Sequence, residues 1–308
     1  MSLSHLDQTN KRVLMFGGKG GVGKTTTSAS TALHFARGGR RTLILSSDLT
    51  PSLSDIFETE VGPTETPVPG EPNLWALEIN PDEVMRRWKI KFGPQIYEAA
   101  HVLVDMPYHD VVDYVALAPG IQEEFLLDFI LEHVHADEYD LVVWDTAPAG
   151  DTLRLLDLPH KFLAHLRVAP KMYLGLRDRL GLNRVPFIDL IESWEELSKE
   201  ITSFFRDPDQ AEFVLVTIPE ALGAFQARRI VTDLAQFGLQ VQYLIINHVA
   251  QPDNGRFMQQ RRQMQQPYLN LLAEEYGQRM EITHLPLLAH EVKGAKRLAE
   301  LGALLFSS

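Results

Sequence analysis

Apolar residues fall along this chain in two alternating rhythms. Short, mostly apolar runs are Arg12 to Phe16, Thr42 to Ser47, Asn73 to Ile79, Asp140 to Trp144, Phe213 to Ile218, Val241 to Asn247 and Glu281 to Leu285. Such runs, bounded by turn residues, predict strands, and the most apolar of them strands covered on both faces. Between them lie stretches of helical period: Thr25 to Arg37, closed by Gly38-Gly39, then Leu222 to Phe237, residues 256–277 and Glu291 to Leu305. Strands alternating with helices predict an α/β fold, a parallel sheet flanked by helices.

Two stretches break that rhythm. In residues 81–137, Val111, Val112, Val115 and Leu117, then Phe125, Leu126, Phe129, Ile130 and Val134, recur near helical spacing. Residues 152–207 are also mostly helical, with interruptions at Pro159, Pro170 and Pro186. The reading is an inserted helical subdomain (81–137 and 152–207) in a core made of 1–80, 138–151 and 208–308. Residues 58–73, rich in Pro, Glu and Gly, read as a surface loop.

The chemistry is expected where the first strand meets its helix. Gly18-Lys19-Gly20-Gly21-Val22-Gly23-Lys24-Thr25, continued by Thr26, is a complete G-x-x-x-x-G-K-[ST] phosphate loop, so the core reads as a P-loop NTPase. Its glycines let backbone N–H groups curl around phosphate oxygens, an approach that a Cβ would block. Lys24 is spaced to reach the β- and γ-phosphates, and the Thr25 hydroxyl to bind Mg²⁺. The helix N-terminus adds its own pull on an anion. Lys19 would crowd the phosphates of its own subunit, so its natural target is a nucleotide across a dimer interface, where it would neutralise charge on the transferring phosphoryl group. The alternative is a solvated loop lysine.

Asp48 and Asp145 end two of the strands and would stand beside the phosphate loop. One such carboxylate can orient the attacking water and another can hold Mg²⁺ through its water shell. Either can instead cap the helix that follows. The segment Asp145-Thr146-Ala147-Pro148-Ala149-Gly150-Asp151-Thr152 reads as a loop that senses the γ-phosphate, with Gly150 free to rotate its peptide.

Composition narrows the partners. The 308 residues carry 29 Lys and Arg against 41 Asp and Glu, a net charge of −12, which argues against a general nucleic-acid binder. No cysteine is present, so thiolate metal sites and disulfides are excluded and a reducing compartment fits. The polar start, Met1 to Lys11, has no apolar signal core, and no apolar run is long enough to span a bilayer. The expected location is cytoplasmic, with peripheral membrane attachment left open. His133 and His135, two apart, would point to different helix faces and read as surface or satisfied residues.

These motifs resemble those of the ATPases that include the arsenite-pump (ArsA) enzymes and the guided-entry enzymes that deliver tail-anchored membrane proteins. The marks run over almost the whole length: Lys19 to Thr26; Ser46-Ser47-Asp48 with Ser52-Leu53-Ser54-Asp55; Asp145 to Pro148 with Gly150 and Thr152 to Leu156; Asn247; and Leu285-Pro286-Leu287 with Glu291 and Gly294. The resemblance implies a homodimer with ATP at the interface. It implies that Lys19 contacts nucleotide in trans, Asp48 serves the attacking water, Asp145 supports Mg²⁺, Asn247 reads adenine and Pro286 packs near the base. This chain departs from the family pattern in both switches, where Leu49, Thr50, Ala149 and Asp151 stand in place of the usual residues and two histidines are absent. It also lacks the cysteines with which relatives bind zinc or arsenite. Three functions follow as alternatives: an ATP-driven carrier of a hydrophobic protein client, the motor of an anion pump with a membrane partner, or a positioning ATPase of the ParA and MinD kind.

Overall fold

Parallel strands buried on both faces are predominantly apolar, and the central strands of this sheet are so, with their few polar residues at or near the strand ends. The computed structural model describes residues 2–48, 52–101, 105–117, 121–147, 186–252 and 255–307. Among these, eight strands form one sheet: β1 (Val13–Gly18), β2 (Thr42–Ser46), β3 (Thr66–Pro67), β4 (Leu74–Glu78), β5 (Leu141–Asp145), β6 (Ala211–Thr217), β7 (Val241–Val249) and β8 (Glu281–Pro286). Their order is β3-β4-β2-β5-β1-β6-β7-β8, and only the β3–β4 pairing is antiparallel. Every residue of β1, β2, β5 and β6 is buried.

Helix α1 (Lys24–Arg37) and the last helix, α9 (Gly294–Phe306), pack on one another over this sheet. Leu14, Phe16, Ile44, Val143, Val214 and Ile245 from the strands meet Ala29, Leu33, Leu298, Leu301 and Leu305 from the helices in one core. Burying each large aliphatic side chain contributes about 1.5–3 kcal/mol, so this layer anchors α1 and the loop that precedes it. Helices α7 (Ala221–Gln236) and α8 (Arg256–Tyr276) also pack on each other.

The element boundaries depart from the sequence reading at several places. Strand β1 continues to Gly18 because Gly17 and Gly18 pair with Leu215 and Val216 of β6. Helix α9 starts at Gly294 rather than Glu291. Gly294 has φ +71°, a left-handed conformation through which a right-handed helix cannot run. The loop of residues 58–73 contains β3, a two-residue edge strand that includes Pro67 and is too short to show periodicity. One further helix, α2 (Leu53–Phe57), carries little periodic signal. Its free N–H groups at Leu53 and Ser54 donate to Glu78 Oε1 at 2.8 and 3.1 Å.

The chain divides into two compact units. Met1–Ile79, His133–Leu153 and Phe205–Ser308 form the sheet unit; Asn80–Glu132 and Arg154–Phe204 form the other. In the second unit α3 (Pro81–Ala100) packs on α4 (Tyr108–Ala116), and Phe92 has Phe125 and Trp194 edge-on to it. Phe125 belongs to α5 (Ile121–His135) and Trp194 to α6 (Pro186–Arg206). The Lys91 ammonium joins Asp128 and Glu132 of α5 at 2.6 and 2.5 Å. Residues 152–185, expected to be helical, lie outside the described residues. No helix among the described residues is long and apolar enough to cross a membrane.

Candidate nucleotide-binding site

The phosphate loop spans the gap between β1 and α1. Gly21 and Gly23 have φ +79° and +93°, the left-handed region that lets successive N–H groups face one point. A Cβ at Gly20 or Gly21 would meet nothing within 4 Å, whereas one at Gly23 would strike the Asn247 amide. The loop is thus open on one side and tightly backed on the other. Gly18, Val22 and Lys24 are buried, Gly20 and Gly21 are exposed, and Lys19, Thr25 and Thr26 are in between. Thr26 O accepts from Ser30 Oγ at 2.8 Å within α1.

The strand order places β5 between β1 and β2 and so brings Asp145 to the foot of the loop. The Thr25 hydroxyl donates to Asp145 Oδ2 at 2.7 Å, and Ser46 Oγ lies 3.5 Å from the same oxygen. Asp145 is 1 % exposed and its Oδ1 has no hydrogen-bond partner. Burial pushes its pKa up to about 6; the Thr25 bond, the Lys24 charge and Ser46 act against this, while Asp48 adds to it. A buried carboxylate oxygen with unused lone pairs, beside a threonine hydroxyl and a phosphate cradle, fits a divalent cation. Mg²⁺ sites of this kind use one or two carboxylates together with substrate phosphates.

Asp48 follows the end of β2 and is half-buried, with its N–H directed to Ser46 Oγ at 3.3 Å. Thr146 ties the segment after β5 to β1: its N–H and hydroxyl both donate to Phe16 O, at 3.2 and 2.8 Å. Ala147 N–H donates to Ser47 Oγ at 3.2 Å. Pro148 and Gly150 lie outside the described residues, as do Leu49 and Thr50.

Asn247 takes a position the motif alone did not specify. Its Nδ2 donates to Val22 O at 3.0 Å and its Oδ1 accepts from His248 N at 2.8 Å. Pairing of β7 with β8 shifts register between Ile246 and Val249, and His248 has φ +57°. This bulge turns the Asn247 amide toward the loop. Gln265 of α8 fastens the bulge, donating to His248 O at 2.9 Å and accepting from Ala250 N at 2.8 Å. Pro286 ends β8 opposite Val249. Gln265 escaped the sequence reading because it stands in no spacing that carries chemistry by itself; Ser47 enters it only as part of the Ser46-Ser47-Asp48 mark, with no role of its own.

Among the described residues, no cluster of three His, Cys, Asp or Glu side chains could hold a metal ion. The candidate cation site is therefore the mixed hydroxyl and carboxylate arrangement of Thr25 and Asp145.

A family model described as anion-transporting ATPase matches residues 11–307. The chain is 33% identical over 306 residues to the ATPase GET3 of Rhodotorula glutinis, covering 95% of this chain and 87% of that protein. It is 31% identical to the ATPase GET3 of Mycosarcoma maydis, covering 97% and 92%. It is 32% identical to the ATPase GET3 of Podospora anserina, covering 98% and 92%.

Proposed function

The chain belongs to the anion-transporting ATPase family, and from that premise we propose that it is a Mg²⁺-dependent, dimeric ATPase that handles a hydrophobic protein client. ATP hydrolysis itself follows from the family. The metal, the dimer and the client are the added reading. The observation that carries the nucleotide and metal reading is the Thr25–Asp145 pair at the foot of an open glycine cradle.

In this reading Gly20 to Lys24 bind the phosphates, and the buried Lys24 ammonium meets their charge without a competing solvent shell. Thr25 and Asp145 hold the cation, which when bound neutralises charge on the β- and γ-phosphates. Asp48 orients the attacking water, and Ala147 begins the loop that registers the γ-phosphate. Lys19 has no ion-pair partner among the described residues. That suits a lysine that reaches the nucleotide of a second copy.

Support for the client comes from the helical unit. Ile90 is 64% exposed on α3, Tyr114 76% exposed on α4, and Leu117, just past α4, 82% exposed. Large exposed apolar side chains on two helices that pack together suit a hydrophobic ligand. Turnover with and without a chelator, and binding of a hydrophobic test peptide with ADP or a non-hydrolysable ATP analogue, test the two halves separately. Turnover unaffected by chelation removes the metal reading; peptide binding that ignores nucleotide removes the client reading.

A further inference from the structure

We propose that the Ser47 hydroxyl is a positioning group that joins the loop after β2 to the loop after β5, so that Asp48 and Ala147 answer the γ-phosphate as one unit. The inference rests on the proposed reading of Asp48 as the residue that orients water.

Strands β2 and β5 run parallel in register, with Leu45 opposite Trp144 and Ser46 opposite Asp145. One more ladder bond follows, from Ser47 N to Asp145 O at 3.1 Å. Beyond it the side chain of Ser47 takes over. Its Oγ accepts from Trp144 Nε1 at 2.9 Å and from Ala147 N at 3.2 Å. Both donors belong to the β5 segment, and together they use both lone pairs of one oxygen.

Trp144 has no accessible surface, so its indole N–H must find an acceptor inside the protein, and Ser47 supplies it. Among the described residues the Trp144 ring also lies against Phe205, at 6.1 Å between centroids. Ser47 is therefore held by a buried indole on one side and holds Ala147, within the proposed sensing segment, on the other. Asp48 is its immediate chain neighbour. The adjacent Ser46 hydroxyl serves a different pair, Asp145 Oδ2 and the Asp48 N–H. Two consecutive serines thus tie the two strand ends, one at the cation site and one at the sensing loop. A displacement of Ala147 by phosphate would be passed through Ser47 Oγ to Asp48 rather than lost in independent loop motion.

The test uses the full chain. Turnover at saturating ATP and Mg²⁺, calorimetric affinity for a non-hydrolysable ATP analogue, and the melting temperature are measured for Ser47→Ala, Ser47→Thr, Trp144→Phe, the Ser47→Ala/Trp144→Phe double variant and Asp48→Asn. Ser47→Ala should lower kcat by about 10- to 100-fold, as displaced reacting groups do, with analogue affinity within about twofold. Ser47→Thr keeps the hydroxyl and should stay near wild type. Trp144→Phe keeps an aromatic ring but removes the donor and part of the buried indole, and should give a smaller loss in kcat. The double variant should be no worse than Ser47→Ala alone, since both act through one oxygen.

Normal turnover in Ser47→Ala with an inactive Asp48→Asn overturns this inference and leaves the Asp48 reading standing. Near-normal turnover in Asp48→Asn overturns both. A loss in Ser47→Thr equal to that in Ala, or fully additive losses in the double variant, overturns the coupling. If Ser47→Ala fails to fold, Trp144→Phe decides, read at a temperature where it stays folded: reduced kcat with analogue affinity kept supports the inference, and unchanged kcat refutes it.

Discussion

The side-chain amide of Asn247 donates to the backbone carbonyl of Val22 at 3.0 Å, across 225 residues of sequence. It closes the back of the phosphate loop beside Gly23, and its own carbonyl is occupied by His248 N–H. The asparagine that resemblance assigns to adenine thus has its side-chain amide engaged by the backbone of the glycine loop and of its own strand.

Asn247→Ala should therefore weaken ATP and GTP alike, by about tenfold each, the effect of losing one buried hydrogen bond of about 1–1.5 kcal/mol. Calorimetric titration with both nucleotides measures it. A loss confined to ATP would return Asn247 to reading adenine.

Lys24→Ala should abolish tight ATP binding, because a buried ammonium at the cradle is removed and phosphate charge is left without its partner. Unchanged affinity for the nucleotide would sink the phosphate-loop assignment.

Asp145 links pH to stability. Its pKa is pushed up to about 6 by burial, above the ordinary carboxylate value. For a carboxyl raised in this way, the folded state binds the proton more readily than the unfolded chain. The cost of burying the charge is thus fully present above pH 6 and fades as pH falls toward 4. Asp145→Asn should raise the stability of the nucleotide-free protein at pH 8 by up to about 3 kcal/mol, with the gain shrinking between pH 6 and 4. The same variant should lose Mg²⁺-dependent turnover. Denaturant unfolding across pH checks the first outcome, and a variant no more stable than wild type at pH 8 would contradict it.

Lys19 should act on the nucleotide of a partner copy. Lys19→Ala and Asp48→Asn should each be inactive, while a mixture should recover part of the activity. One site of the mixed dimer then has its own Asp48 and receives Lys19 from its neighbour. No recovery in a verified mixed dimer would place Lys19 in its own subunit's site or outside the chemistry.

Much of this was legible in one dimension. The glycine spacing from Gly18 to Gly23 is local, because the cradle is made from consecutive N–H groups and the conformations glycine permits. The apolar runs at 12–16, 140–144 and 213–218 show buried strands for the same reason: a strand covered on both faces has no polar position to spare. The alternation of runs and helical stretches implied a parallel sheet with helices about it. The carboxylates at Asp48 and Asp145 could be placed at strand ends by counting.

Tertiary structure decided the neighbours. Apolar periodicity marks a strand as buried but carries no information on which strand lies beside it. The order β2-β5-β1-β6-β7 sets Asp145 against Thr25, Trp144 against Ser47 and Asn247 against Val22, each through a side chain whose partner is about 100 residues away or more. The bulge that aims Asn247 is a register shift of one strand on another, and Glu78 caps α2 only because β4 ends beside it. A hydrogen bond is a condition on distance and angle. Residue types along the chain set which groups could bind phosphate and cation, and the packing of the sheet set which of them meet.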